Sequence, residues 1–202
     1  MTDHTSAIYY LRHGETDWNR ARQIQGQTDI PLNATGKDQA ARMAVKLREV
    51  VPDPGALQLI ASPLTRTRQT MAAVLDAYGL SDSLVIYDER LLELNFGAFE
   101  GKMWADIHAA GVKPEVDPEH YHDWQPDGGE SYAMARMRVA SWLASLSGPA
   151  IVVGHGGISR ILRGIVFDLP KREIVTLKVP QDRFFRIQDG GLDWFDARDV
   201  RT

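Results

Sequence analysis

Two periods govern the apolar positions of this chain. Short apolar runs at residues 8–11, 57–61, 84–87 and 150–153 have the length and the β-branched or aromatic content of strands. Between them, apolar residues recur at helical spacing. Ala40, Met43, Ala44, Leu47 and Val51 form one stripe, and Met71, Val74, Leu75 and Tyr78 a second. Ile158, Ile161, Leu162 and Ile165 form a third. A helix over 130–146 is predicted to carry Ala133, Met137, Ala140 and Ala144 on one face. Boundary residues agree with these stripes. Thr35 is placed as the first N-cap, and Pro52 and Pro54 end that helix. Ser62 followed by Pro63 predicts the next start, and Gly79 its end. Near the C-terminus, 175–179, 184–187 and 192–195 read as closing strands.

Strands alternating with helices predict an α/β fold, a three-layer α/β/α sandwich with a mainly parallel central sheet and helices on both faces. The 202 residues suit one domain, residues 1–202. The stretch 101–129 breaks the alternation with prolines, acids and histidines. It is expected to leave the core as a lid over the pocket, with one short helix near 104–110. In parallel sheets, ligands bind beyond the carboxyl ends of the strands. Three loops leave strands at that edge: Arg12-His13-Gly14, the segment from Ser62 to Arg66, and Gly154-His155-Gly156. Their convergence predicts a single site.

Composition narrows the classes. Hydrophobic residues are 44% and cysteine is absent, so a core is affordable while disulfides and thiolate metal sites are excluded. A formal net charge of −4 argues against nucleic acid and anionic membrane as partners. The start of the chain, Met1 to Ala7, is polar and does not resemble a signal peptide, and no apolar run has membrane-spanning length. A cytoplasmic protein acting on a small anionic molecule is the expectation, with the apolar C-terminal strands available for pairing in a homodimer.

A phosphate monoester resists attack, and its ester oxygen leaves poorly unless protonated. A site for it needs cations, a nucleophile and an acid. Arg12 and Arg66 offer planar donor forks that match phosphate oxygens. His13 is the candidate nucleophile, with Gly14 beside it allowing close approach of a ligand. His155 is the candidate donor to phosphoryl oxygens, joined by the N–H groups of Gly156 and Gly157. Two histidines also suggest a metal site, but no carboxylate stands at ligand spacing. Glu93 lies among apolar neighbours, where burial would favour the protonated acid. Local reasoning does not separate it from Glu89, Glu100 or Glu130.

These residues assemble into a family resemblance. Arg12-His13-Gly14-Glu15-Thr16 with Trp18-Asn19 resembles the signature of the histidine phosphatase superfamily, the phosphoglycerate mutase-like proteins. Gln25-Gly26, Pro31-Leu32-Asn33, Ser62-Pro63-Leu64-Thr65-Arg66, Glu93 with Phe96-Gly97, Gly128-Gly129-Glu130-Ser131 and His155-Gly156-Gly157 follow in family order. The resemblance implies a phosphohistidine on His13 and a phosphate pocket of Arg12, Arg66 and His155, with Glu93 as proton donor. It implies that Asn19 contacts the phosphoryl group, that Gln25 and Gly26 line the substrate side, and that Glu15 and Thr16 order the loop. No metal or cofactor is implied. Gly157-Ile158-Ser159 after the second histidine and the Gly-Gly-Glu-Ser segment are similar to the phosphatase branch, which includes broad-specificity, α-ribazole-phosphate and fructose-bisphosphate enzymes. The expected activity is phosphomonoester hydrolysis. A mutase and a non-catalytic phospho-ligand binding module are the alternatives. The lid residues His108, His120, His122 and Trp124 have no assigned role, and for His120 and His122 a solvated surface is the plainer expectation than a substrate or metal contact.

Overall fold

The computed structural model describes residues 6–113 and 116–200. Met1–Thr5 of the polar N-terminal stretch, and Pro114 and Glu115 of the expected lid, lie outside the described residues. In chain order the elements are β1 (Ile8–Arg12), α1 (Asp17–Ala21), α2 (Ala34–Val50), β2 (Gln58–Ala61), α3 (Thr65–Tyr78) and β3 (Val85–Tyr87). Then follow α4 (Trp104–Ala109), α5 (Pro118–Asp123), α6 (Tyr132–Ala144), β4 (Ala150–Gly154), α7 (Gly156–Val166), α8 (Lys171–Ile174), β5 (Arg183–Gln188) and β6 (Gly191–Asp196).

The six strands form one mixed sheet in the order β3-β2-β4-β1-β5-β6. The first four are mutually parallel, and β5 and β6 add an antiparallel hairpin. Strand β1 shows why two helical layers form. Its period of two sends Tyr9 and Leu11 into a core with Met43 and Leu47 of α2 and Met71 and Val74 of α3. Ile8 and Tyr10 face the opposite way, into a core with Val139 and Trp142 of α6 and Ile158 and Leu162 of α7. Both sides of the central strands are therefore dry, as in the α/β/α sandwich.

Several boundaries differ from the expectation. Asn33 rather than Thr35 caps α2, its Oδ1 accepting the Gly36 N–H at 2.8 Å. Ser62 does not cap α3. That helix starts at Thr65, whose N–H is taken by Asp29 at 2.7 Å, while Ser62 turns its hydroxyl toward His155. The predicted face of α6 is the wrong one. Tyr132, Ala135, Val139, Trp142 and Leu143 are buried, and Met137 is 76% exposed. Residues 175–179 are not a strand: Val175 and Thr176 form the turn that ends α8, and the next three carbonyls accept from side chains, Leu177 from Arg160, Lys178 from Arg163 and Val179 from Arg12. The helices α1, α5 and α8 have no counterpart in the expectation.

Candidate active site

The site begins in strand register. Arg12 pairs with Gly154 across β1 and β4, and the His13 N–H donates to the Gly154 carbonyl at 3.0 Å. The two histidines thus step off neighbouring parallel strands, and their rings meet edge to face with centroids 5.3 Å apart. Tyr10, one strand position from Leu11, locks the second one. Its hydroxyl accepts the His155 N–H and donates to the His155 carbonyl, each at 2.9 Å. Any side chain on Gly154 would put its Cβ 2.2 Å from that hydroxyl, so glycine is required there.

Hydrogen bonds fix the tautomers. His13 Nδ1 lies 2.7 Å from the Gly14 carbonyl, which can only accept. The ring proton therefore sits on Nδ1, and Nε2 keeps its lone pair. Burial, then Arg66 and Arg12, hold the His13 pKa well below 6.5. For His155 the assignment reverses. Arg66 Nε donates to its Nδ1 at 3.3 Å, so Nε2 carries the proton and donates to Ser62 Oγ at 2.8 Å. Burial, followed by Arg66, His13 and Arg12, keeps this ring neutral too.

The arginines are fastened to main chain. Arg66 is fully buried, with Nη1 on the Thr28 carbonyl at 2.9 Å and Nη2 on the Gly26 carbonyl at 2.7 Å. Arg12 gives Nη1 to the Val179 carbonyl at 2.5 Å, while its buried Nε has no hydrogen-bond partner. Burial lowers its pKa to about 10, which leaves it charged near neutrality. An unpaired buried N–H on a cation, facing Gly156 at the start of α7, suits an anion.

These groups open onto a cavity of about 290 Å³. Every residue assigned to the site from the sequence lines it except His155, which is fully buried and has both ring nitrogens bonded to protein. The Gly157 N–H, expected on the anion, instead donates to Glu93 at 3.1 Å, and the Leu94 N–H donates to the same carboxylate at 3.0 Å. Asn19 accepts from Thr16 and from Gln181 through its Oδ1, which leaves its amide NH2 for the cavity. Gln25 accepts from the Thr16 hydroxyl at 2.8 Å, and Thr16 caps α1, matching its expected ordering role. Gly14 serves packing rather than ligand approach. A Cβ there would lie 2.1 Å from the Gly36 carbonyl oxygen, at the first turn of α2.

Other residues shape the site in ways the sequence reading did not assign. Glu100 accepts the Gln27, Thr28 and Phe96 N–H groups and the Thr28 hydroxyl, shaping the turn around Gly26. Gly26 has a φ of 54°, and a Cβ on it would run into that carboxylate, so only glycine fits. Trp104, Tyr121, Tyr132 and Arg160 line the far side of the cavity. Arg160 was legible in one respect: it lies three and four residues after Gly157 and Gly156, on their face of α7. Of the unassigned lid residues, His120 is exposed. His122 is buried beside Asp123 at 2.7 Å, and Trp124 stacks on Tyr121. No described helix is long and apolar enough to cross a membrane.

Known proteins resemble this chain in sequence and in fold. The probable phosphoglycerate mutase GpmB of Erwinia tasmaniensis is 32% identical over 194 residues, covering 93% of this chain and 86% of that protein. The protein of the same description from Shigella dysenteriae is 44% identical over 93 residues, which span 46% of this chain and 40% of its own length. A mycobacterial glucosyl-3-phosphoglycerate phosphatase of known structure superposes with a TM-score of 0.75 at 28% identity, over 97% of this chain and 98% of that one. The family model of the histidine phosphatase superfamily (branch 1) matches residues 8–188, and this chain belongs to that superfamily.

Proposed function

We propose that this protein is a phosphomonoesterase that hydrolyses small phosphorylated metabolites through a phosphohistidine on His13. The observation that carries the reading is the state of His13. It is a neutral imidazole among cations, with Nδ1 tied to a carbonyl and Nε2 left as the nucleophilic nitrogen. The Nε2 lone pair attacks phosphorus as the ester P–O bond breaks, and the Glu93 carboxyl gives its proton to the departing oxygen. Water then attacks the phosphoryl group, the P–N bond breaks, and the Glu93 carboxylate takes the proton from that water. Arg12, Arg66 and the Asn19 amide offset the charge on the phosphoryl oxygens. His155 packs edge to face against His13, and burial and Arg66 hold its own ring neutral, so it sets no cation of its own against the nucleophile. The mycobacterial phosphatase, similar along its full length, supports hydrolysis as the outcome.

The test is phosphate release from a panel of phosphomonoesters, with chelator present. The native protein should release phosphate, and His13→Ala should abolish release. Glu93→Gln should lose about 10²–10⁴-fold on an alkyl phosphate and less on an aryl phosphate, whose oxygen leaves without a proton. Full activity of His13→Ala would overturn the mechanism. The Erwinia tasmaniensis relative's description favours a second reading, a mutase. Interconversion of 3- and 2-phosphoglycerate with a bisphosphate primer, faster than phosphate release, would establish it instead.

A further inference from the structure

Outside the active site, one hollow gathers cations. It is an open depression of about 780 Å³ between α7, the segment 178–183 and β6, and Arg163, Lys178, Arg183, Arg198, Asp182 and Trp194 line it. Its charges do not balance. Arg183 and Arg198 share Asp196 at 3.1 and 2.5 Å, and Arg198 also meets Asp182 at 3.5 Å, two cations for two acids. Lys178 makes no ion pair or hydrogen bond through its ammonium among the described residues.

Arg163 is the stronger anomaly. It is only 3% exposed, and each of its hydrogen bonds goes to a neutral group. Nε donates to the Ser159 carbonyl at 3.2 Å, and Nη2 donates to the Ser159 hydroxyl at 3.4 Å and the Lys178 carbonyl at 3.0 Å. Its Nη1 makes no hydrogen bond among the described residues and, unlike Arg12 Nε, is not sealed from the surface. Burial, then Arg160, lowers its pKa to about 10, so the group stays charged near neutrality beside the Phe185 and Trp194 rings. A buried cation without a counter-ion is unfavourable. In a chain of net charge −4, overall composition does not account for it.

The hollow is equipped to bind rather than to react. No histidine or serine lines it, and its one carboxylate faces Arg198. A monovalent anion would offset one of the two unbalanced charges, whereas a polyvalent oxyanion offsets both and suits the edge of a guanidinium. Trp194, 38% exposed, adds a ring against which a planar group on the same molecule could lie. The volume is that of a site for a small organic ligand. Val179 borders this hollow and the active-site cavity, but its carbonyl is turned to Arg12 and that of Lys178 to Arg163.

We propose that this hollow is a second binding site, for a small polyvalent oxyanion of the diphosphate class held by Arg163 Nη1 and the Lys178 ammonium. The diphosphate is either free or part of a nucleotide whose base lies on Trp194. The inference does not depend on the phosphomonoesterase reading.

Calorimetry with pyrophosphate and with ADP at physiological ionic strength tests it, in His13→Ala so that no phosphoryl group is transferred. At least one probe should show a binding component that Lys178→Glu weakens by about tenfold or more, and Arg163→Gln by about 10- to 100-fold. Binding at the Arg12 and Arg66 end should persist in both variants. Lys46→Glu, on α2 across the sheet, makes the same change in net charge as Lys178→Glu and should leave every affinity within about twofold. Arg163 is buried, so a melting curve accompanies its variant; if that variant does not fold, exposed Lys178 decides alone. ADP binding tighter by about fivefold, with the gain lost in Trp194→Ala, identifies a nucleotide. Equal or weaker binding of ADP identifies the free polyanion. Failure of both probes to bind, affinities unchanged in Lys178→Glu, or an equal loss in Lys46→Glu would overturn the proposal.

Discussion

The two ends of the cavity are built by different means. At the histidine end, nearly every functional group is fastened to backbone. His13 is tied to the Gly14 carbonyl, His155 to Tyr10 through its own main chain, Arg12 to Val179, and Arg66 to Gly26 and Thr28. The parallel register of β1 and β4 sets their spacing. At the far end Arg160 also holds one carbonyl, that of Leu177, but the other contacts run between side chains: Arg160 to Tyr132, Trp104 to Phe96, and Tyr121 to Trp124. The helices there, α4 and α5, have six residues each, too short to stand without their packing. A sheet edge holds the reacting atoms to a fixed geometry, while a wall of packed rings can be re-cut residue by residue. On the proposed function, the groups that would handle the phosphoryl group are thus anchored apart from those that line the far wall.

Arg66→Met is the sharpest way to break the first end. It removes a fully buried cation and three hydrogen bonds at once, leaving the Gly26 and Thr28 carbonyls and His155 Nδ1 without donors. Activity should fall by at least about 10³-fold, comparable to loss of a preorganised transition-state donor. The loss should appear equally with every ester, because the phosphoryl group is common to all of them. A loss confined to some esters would show that the two ends are not separable.

The same division explains what the sequence discloses. Groups that leave the strand ends are legible because strand, loop and helix start follow from local pattern. Arg12, His13, Arg66 and Gly156 accordingly line one cavity, together with Glu93, which the family resemblance selects among the glutamates. The lid end is set by contacts between residues far apart in the chain, such as Arg160 with Tyr132 and Tyr121 with Trp104, for which neither period nor spacing gives a signal. The segment 175–179 fails for a related reason. Its alternation is strand-like, yet its first two residues close the turn after α8 and three arginine side chains take the carbonyls of the rest. Ser62-Pro63 is a good helix start by local rules, and the buried ring of His155 draws the serine away.

Acid should act on the histidine end. Both histidines are held neutral in the folded protein well below 6.5, whereas in the unfolded chain they titrate near that value. Above it neither state binds the protons, and these groups add no pH dependence. As the pH falls below 6.5, the unfolded chain takes up protons that the folded one refuses. Stability then falls by up to about 2.7 kcal/mol per pH unit, about 1.4 from each ring. Urea midpoints measured downward from neutrality should drop, and His13→Ala should about halve that slope. Tyr121→Phe at the lid end should leave the slope in place. A flat profile would mean that the rings are not protected as the geometry requires.

The smallest effect concerns α6, where local pattern and packing disagree. Evenly spaced Ala133, Met137, Ala140 and Ala144 look like a buried stripe, but Val139, Trp142 and Leu143 displace them by removing more apolar surface from water. Met137→Gln should therefore change stability by less than about 0.5 kcal/mol, as for an exposed substitution that touches no cap or network. Val139→Ala, on the face turned toward β4 and α7, should cost about 1–3 kcal/mol through a lost contact and a residual cavity. Paired denaturation curves decide it. If Met137→Gln proved the costlier change, the face read from the even spacing would be the buried one, and the packing that carries Tyr132 toward Arg160 would have to turn with it. The far end would then lose the hydroxyl that holds Arg160, while the histidine end, anchored through β1 and β4, would keep its geometry.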